Sequence, residues 1–191
     1  MMRIIAGKFK GKKLLPMRGA ATRPTSAKVR EAIFSIRGDR VTGARVLDLF
    51  AGTGAFGLEA ISRGAAHAVF IDSEKDAVEL IRRNVAACRA EDAATVICWN
   101  ILRNLSCLPR TANQFDLVFI DPPYNQDAIQ PTLVHLAGSG TLASGASIIV
   151  EHGAQEAVPD AVSGLVVTDR RKYGKTRITF YAATQSPEGT D

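Results

Sequence analysis

Cysteine is scarce in this chain: Cys88, Cys98 and Cys107 are the only three among 191 residues. Their number is odd and no two stand in a Cys-x-x-Cys pair. That argues against a disulfide framework and against a zinc site, and reads the three as small buried hydrophobes. Histidine is equally scarce. His67, His135 and His152 lie far apart and form no ligand motif, so no metal is expected. No apolar run approaches the ~20 residues of a membrane span. The basic N-terminus lacks the apolar stretch of a signal peptide. The expectation is a cytoplasmic protein with no membrane partner, taken as a monomer. Repeats and low-complexity segments are missing too. A length of 191 residues fits one domain, or one domain with a small appendage, and 46% hydrophobic with 23% charged residues is an ordinary globular balance.

Charge is present but unevenly spread. Residues 1–45 carry 12 Lys and Arg against Glu31 and Asp39, whereas residues 46–168 carry 7 against 14 Asp and Glu. The stretch from Asp169 to Tyr181 is basic again, with Arg170, Arg171, Lys172, Lys175 and Arg177. An acidic middle between two basic ends points to a polyanion partner, because clustered cations gain affinity by releasing condensed counterions. A merely solvated basic face is the competing reading.

From Arg45 onward, short apolar runs alternate with longer amphipathic ones. The pattern predicts strands at Arg45–Phe50, His67–Asp72, Thr95–Trp99, Phe115–Asp121 and Ala146–Glu151. Helices are predicted at Ala55–Arg63, Glu74–Ala90 and Ala128–Leu136. Such alternation predicts a doubly wound α/β fold with a mostly parallel sheet covered on both faces. Leu165–Arg171 and Thr176–Ala182 read as a closing strand pair turned at Gly174, at least partly antiparallel. The first 40 residues look like a separate basic appendage. It has short strand candidates at Met2–Ala6 and Lys8–Leu15, bend points at Gly7 and Gly11, and a helix from Ala27 to Ile36 capped by Thr25 or Ser26. The main domain then spans 41–184, and 185–191 is a polar tail expected to be disordered.

The segment from Asp48 to Gly57 follows a predicted strand and opens a helix, with Gly52, Gly54 and Gly57 in the G-x-G-x-x-G spacing. Glycines allow a tight turn and close approach of the backbone to a ligand, but dinucleotide enzymes share this spacing. Asp72, ending the second strand, is placed to accept ribose hydroxyls. Asp48 shifts the balance. A carboxylate beside the loop would repel a pyrophosphate, whereas S-adenosylmethionine carries a sulfonium and an ammonium and no phosphate. The candidate cofactor set is Asp48, Phe50, Gly52, Thr53, Gly54 and Asp72, with Asn100 and Ile101 after the third strand. Helix capping by Asp48 stays open. So does a turn or capping role for Asn100, and Trp99 reads first as core.

The fourth strand ends in Asp121-Pro122-Pro123-Tyr124. An exocyclic amino nitrogen is a poor nucleophile because its lone pair is delocalised into the ring. Two acceptors on its N–H groups would turn that lone pair toward a methyl carbon. The Asp121 carboxylate is one acceptor. The Pro122 carbonyl, held by restricted proline dihedrals, is the other, and the Tyr124 ring offers a stacking face for a base. Pro123 completes the catalytic set. Transfer then needs orientation and charge stabilisation, without a metal or a covalent intermediate.

With these residues in view, the chain resembles class I amino-methyltransferases of nucleic acids. More closely, over residues 3 to about 182, it resembles the bacterial RsmD-type family, which methylates guanine N2 in 16S ribosomal RNA. The likeness is carried by Arg3–Gly7, Arg23-Pro24-Thr25 with Val29–Phe34, Gly57–Ala65, Phe119–Tyr124 and Lys172–Thr176. The resemblance implies a seven-stranded methyltransferase sheet with a reversed hairpin at its end. It assigns Asp48, Gly52 and Gly54 to the cofactor's amino-acid part, Asp72 to the ribose and Asp121–Tyr124 to the target base. Two positions depart from the pattern: Asp72 stands where relatives often have Glu, and Ser35 where they often have Asn. The candidate RNA contacts are Lys8, Lys10, Lys12, Lys13, Arg23, Arg30, Lys172, Tyr173 and Lys175. The expected partner is ribosomal RNA, free or within a small-subunit particle. Three rivals stand beside this reading: a DNA adenine or cytosine amino-methyltransferase, disfavoured by the lack of a long recognition insert; a non-catalytic RNA-binding assembly factor, disfavoured by the intact Asp121–Tyr124 stretch; and a nucleotide-dependent oxidoreductase, opposed by Asp48.

Overall fold

Strands buried on both faces need near-continuous apolar runs, and Val46-Leu47 and Val69-Phe70-Ile71 supply them. In the computed structural model, which describes residues 2–17, 27–108 and 114–184, the contacts divide the chain into two compact units, Met1–Ile101 and Leu102–Asp191. The first unit holds α1 (Ala27–Arg37), β1 (Arg45–Leu49), α2 (Ala55–Ser62), β2 (His67–Asp72), α3 (Lys75–Cys88) and β3 (Ala94–Cys98). β2 lies between β1 and β3 and pairs in parallel with both, from Arg45 opposite His67 and from Ala68 opposite Ala94. Every residue of α2 is buried. In α3 the buried set Ala77, Val78, Leu80, Ile81, Asn84, Val85 and Cys88 forms one face, as its helical spacing predicts.

The second unit holds β4 (Phe115–Ile120), α4 (Ile129–Ala137), β5 (Leu142–Gly153), β6 (Ala161–Val162), β7 (Leu165–Tyr173) and β8 (Thr176–Ala183). β4 and β5 run parallel. β8 then pairs antiparallel with β5, β7 with β8, and β6 with β7. The closing pair expected at the end of the chain is therefore an antiparallel hairpin.

The class is α/β as expected, with the strands and helices within a few residues of their predicted bounds. The strand count differs: eight strands stand among the described residues where seven were expected. β6 has only two residues, too few for any periodicity to register. β5 starts at Leu142 rather than Ala146. Its register against β4 shifts between Phe115 and Leu117, which takes up the unstrandlike Ser144-Gly145.

The two expected N-terminal strands shrink to one antiparallel bridge, Arg3 with Lys13. Gly7 and Gly11, at φ of 78° and 81°, turn the chain inside the segment. The amides of Lys8 and Phe9 bond the Ser62 carbonyl (2.8 Å) and hydroxyl (2.9 Å) of α2, so they are spent there and not on a ladder. Of the cysteines only Cys88 is buried; Cys98 is exposed and Cys107 half-buried, which corrects their reading as core hydrophobes. Ser35 is exposed. Thr25, Ser26, Arg23 and residues 185–191 lie outside the described residues.

Candidate active site

The glycine loop is held by carboxylates. Asp48, near the end of β1, is 1% exposed, and its Oδ2 accepts the Gly57 N–H at 2.9 Å. One of the amides that the first turn of α2 leaves unpaired is thereby satisfied. The chain then turns through Phe50, a non-glycine at φ 57°, and through Gly52 and Gly54 at 54° and 74°. A bulky residue in this left-handed region stores local strain, and such residues gather at ligand-binding turns. Gly57 needs to be glycine for a different reason: a Cβ there would stand 2.3 Å from Phe70 Cε1 of β2.

Asp72, 8% exposed at the end of β2, reaches back to the same loop. Its Oδ2 accepts the Gly52 N–H at 2.9 Å and its Oδ1 the Glu74 N–H at 3.0 Å. Each carboxylate oxygen has a further lone pair for a ligand. Trp99, half-buried, donates its backbone N–H to the Asp72 carbonyl at 2.9 Å, which ties the exit of β3 to the end of β2. Asn100 follows as an exposed residue and Ile101 as a buried one. Thus Asp48, Phe50, Gly52, Thr53, Gly54 and Asp72 gather at the carboxyl ends of β1 and β2. Asn84 of α3 was not anticipated. It is fully buried and donates Nδ2 to the Thr53 carbonyl at 2.9 Å.

In the second unit, β4 delivers Asp121 half-buried, Pro122 buried, Pro123 exposed and Tyr124 41% exposed. The Tyr124 hydroxyl donates to Glu151 Oε1 of β5 at 3.2 Å and lies 3.3 Å from Thr176 Oγ1, where β8 starts. Burial pushes its pKa up to about 12; the Thr176 hydrogen bond opposes this, and the Glu151 and Asp121 carboxylates add to it. Tyr124 is therefore a neutral phenol at any working pH, tethered at its hydroxyl with part of the ring open. Glu156 clamps the next turn: Oε1 accepts the Asn125 N–H at 2.8 Å and Oε2 the Gly153 N–H at 2.6 Å. Asn125 and Asp127 stand at positive φ, 58° and 51°. Neither Glu156 nor Glu151 belongs to a motif, so nothing local in the sequence marks them.

The two basic ends are arranged differently from one another. Lys8, Lys10, Lys12 and Lys13 are all exposed, with the Lys8 ammonium 4.9 Å from the Phe9 ring centroid. The segment that carries them is fastened by buried polar groups. Glu59 of α2, fully buried, accepts the Ile5 N–H (2.8 Å), the Ala6 N–H (3.0 Å) and Arg63 Nε (2.8 Å). Arg30, expected to contact RNA, is instead 0% exposed. It lies 3.6 Å from Glu59 and donates Nη2 to the Arg3 carbonyl. Burial draws its pKa down, and Glu59 works against that. The Arg30 side chain thus serves the attachment of the N-terminal segment. On the other basic end, Lys172 and Lys175 are exposed and Tyr173 half-buried around the β7–β8 turn, where Gly174 has φ 62°. Arg23 lies outside the described residues.

Comparison with known proteins gives a consistent set of relatives. The family model described as "Conserved hypothetical protein 95" matches residues 2–182. "Putative rRNA methyltransferase YlbH" of Bacillus subtilis is 34% identical over 180 residues, 94% of this chain and 98% of that protein. "Ribosomal RNA small subunit methyltransferase D" of Escherichia coli is also 34% identical, over 94% of this chain and 89% of its own length. Among solved structures, "Putative methyltransferase yhhF from Escherichia coli" superposes with a TM-score of 0.84 at 31% identity, covering 96% of this chain and 98% of that one.

Proposed function

The chain belongs to the RsmD-type family, described as Conserved hypothetical protein 95, and from that premise we propose that it methylates the exocyclic N2 amino group of a guanine in 16S ribosomal RNA, with S-adenosylmethionine as donor. The observation that carries the reading is the Asp121–Tyr124 segment. It leaves β4 with a half-buried carboxylate, and its aromatic ring is tethered at the hydroxyl and 41% exposed.

The residues of the glycine loop fit this donor. Between Arg45 and Arg63 the sequence has no Lys or Arg to meet a pyrophosphate. The loop is held instead by the buried carboxylates of Asp48 and Asp72, an environment that favours a cation and ribose hydroxyls. When bound, S-adenosylmethionine supplies an electrophilic methyl carbon on a sulfonium. Asp72 would hold the ribose, and Asp48, Gly52 and Gly54 the amino-acid part, with Phe50, Thr53, Asn100 and Ile101 completing the cofactor set.

The remaining chemistry falls to Asp121–Tyr124. Tyr124 stacks the flipped base. Asp121 accepts one N–H of the amino group and the Pro122 carbonyl the other, which orients the nitrogen lone pair along the line of attack. Because burial pushes the Tyr124 pKa up to about 12, the ring contributes stacking and not charge. Lys8, Lys10, Lys12 and Lys13 at one end, and Lys172, Tyr173 and Lys175 at the other, bind the RNA backbone. Relatives' names speak of ribosomal RNA, and the lack of a long recognition insert favours RNA over DNA, since folded RNA supplies recognition by shape.

The test is transfer of radiolabelled methyl to ribosomal RNA from a strain lacking the enzyme, followed by nucleoside analysis. Label in N2-methylguanosine is expected. Label in N6-methyladenosine or in DNA alone would overturn the assignment, and so would no transfer to free RNA or to small-subunit particles.

A further inference from the structure

The buried amide of Asn84 joins two parts of the first unit that the reading above gives to different ligands. Its Nδ2 donates to the Thr53 carbonyl in the glycine loop at 2.9 Å and to the Leu15 carbonyl at 3.3 Å. Its Oδ1 accepts the Leu15 N–H at 2.8 Å. Both donors and one acceptor position are therefore in use, in a side chain with no solvent exposure. A second tie runs beside it, from Thr53 Oγ1 to Met2 Sδ at 3.4 Å. Leu14 N–H to the Met2 carbonyl, 3.1 Å, closes the N-terminal segment at its base. The segment thus meets the glycine loop directly at Met2 and through the Asn84 amide at Leu15, and its four exposed lysines lie between these two ends.

We propose that Asn84 is a positioning residue that couples engagement of RNA by the Lys8–Lys13 segment to the shape of the glycine loop, so that RNA and S-adenosylmethionine bind with positive cooperativity. This rests on the function proposed above. The physical reason is the penalty for a buried polar group without a partner. Any movement of the segment strands either the Leu15 groups or the Thr53 carbonyl, so the loop and the segment keep one joint arrangement. A phosphate that fixes the lysines fixes that arrangement, and a cofactor that orders Gly52–Gly54 does the same from the other side. Linkage makes the effect reciprocal.

The test uses the full chain, S-adenosylhomocysteine as the non-reacting cofactor probe, and 16S ribosomal RNA from a strain lacking the enzyme. In the wild type, saturating RNA should tighten S-adenosylhomocysteine binding at least ~5-fold, within the usual range of such couplings. In Asn84→Ala the ratio should fall to within about 2-fold of unity, with the Michaelis constant for S-adenosylmethionine raised more than kcat is lowered. Asn84→Ser, which keeps one donor, should retain part of the coupling. Should neither variant fold, hydrogen exchange on the wild type decides: adding RNA alone should slow the amides of residues 51–55. Independent binding of the two ligands by a wild type that methylates RNA would overturn the coupling alone. A wild type that binds no S-adenosylhomocysteine would instead overturn the functional reading. A variant that loses thermal stability but keeps the full coupling would reduce Asn84 to a structural residue.

Discussion

Gly7 and Gly11 share a backbone conformation, φ 78° and 81°, but not a neighbourhood. A Cβ at Gly11 meets nothing within 4 Å, whereas one at Gly7 would stand 1.7 Å from the Ser62 carbonyl oxygen and 2.8 Å from Arg63 N. Gly11→Ala therefore carries only the cost of a left-handed L-residue, about 1–2 kcal/mol. Gly7→Ala adds a collision with the backbone of α2, a helix buried along its whole length and unable to retreat. The N-terminal segment must lift instead. It then loses the Ile5 and Ala6 amides on Glu59 and the Lys8 and Phe9 amides on Ser62. At about 0.5–1.5 kcal/mol net for each of these four bonds, the total loss should be about 2–6 kcal/mol. Urea unfolding of the two variants measures the difference. Trypsin cleavage between Lys8 and Lys13 reports the lifting directly and should accelerate only in Gly7→Ala. Equal stabilities within about 0.5 kcal/mol, the usual range of a bland surface change, would refute the close approach of the segment to α2.

Three further outcomes follow from the same contacts. Reversing the charge of Lys8, Lys10, Lys12 and Lys13 together should raise the Michaelis constant for RNA and flatten the salt dependence of binding, by about 0.7–0.9 in log–log slope per lost phosphate contact. Filter binding at three salt concentrations reads this, and an unchanged slope would make the lysines a solvated face. Asp72→Ala should weaken S-adenosylmethionine by roughly 1–3 kcal/mol, since it strands ribose hydroxyls and also frees Gly52 N–H from its anchor; calorimetry showing unchanged affinity would remove Asp72 from the ribose. His152 is 3% exposed, lies 2.9 Å from Thr179 Oγ1, and has its pKa lowered from the usual 6.5 by burial. The unfolded chain then binds the extra proton more readily. The stability His152 contributes is present above about pH 6.5 and is lost as pH falls through its lowered native value. Melting temperatures from pH 7.5 to 5 should drop more steeply for the wild type than for His152→Gln, and parallel curves would contradict this.

The parts of the fold that were legible are those whose signal is local. RVLDLF and HAVFID are apolar because both faces of β1 and β2 are covered, and the glycine loop and Asp121–Tyr124 are motifs of consecutive residues. What escaped reading depends on partners far along the chain. Glu59 binds amides 53 and 54 residues away, and Asn84 binds Leu15 across 69. A polar residue on an apolar helix shows nothing in sequence of the distant backbone it satisfies. Arg30 was misplaced for the same reason: a cation in a basic segment reads as surface until its carboxylate, Glu59, is known. β6 was too short to see. The helix-capping role left open for Asp48 is its bond to the Gly57 N–H, but the grip of Asp72 on Gly52 and Glu74 was not legible, because it depends on the positive-φ turn through Phe50, Gly52 and Gly54.

The most direct measurement of the central claim is single-turnover methyl transfer to ribosomal RNA by Asp121→Ala, with S-adenosylmethionine binding followed in parallel by calorimetry. Asp121 is assigned to the target amino group and to no cofactor contact. Transfer should therefore fall at least ~100-fold, the scale of a lost transition-state hydrogen bond, while cofactor affinity stays within about 2-fold of wild type, under 0.5 kcal/mol. Transfer within a few-fold of wild type would contradict the assignment of Asp121 to the methylated nitrogen.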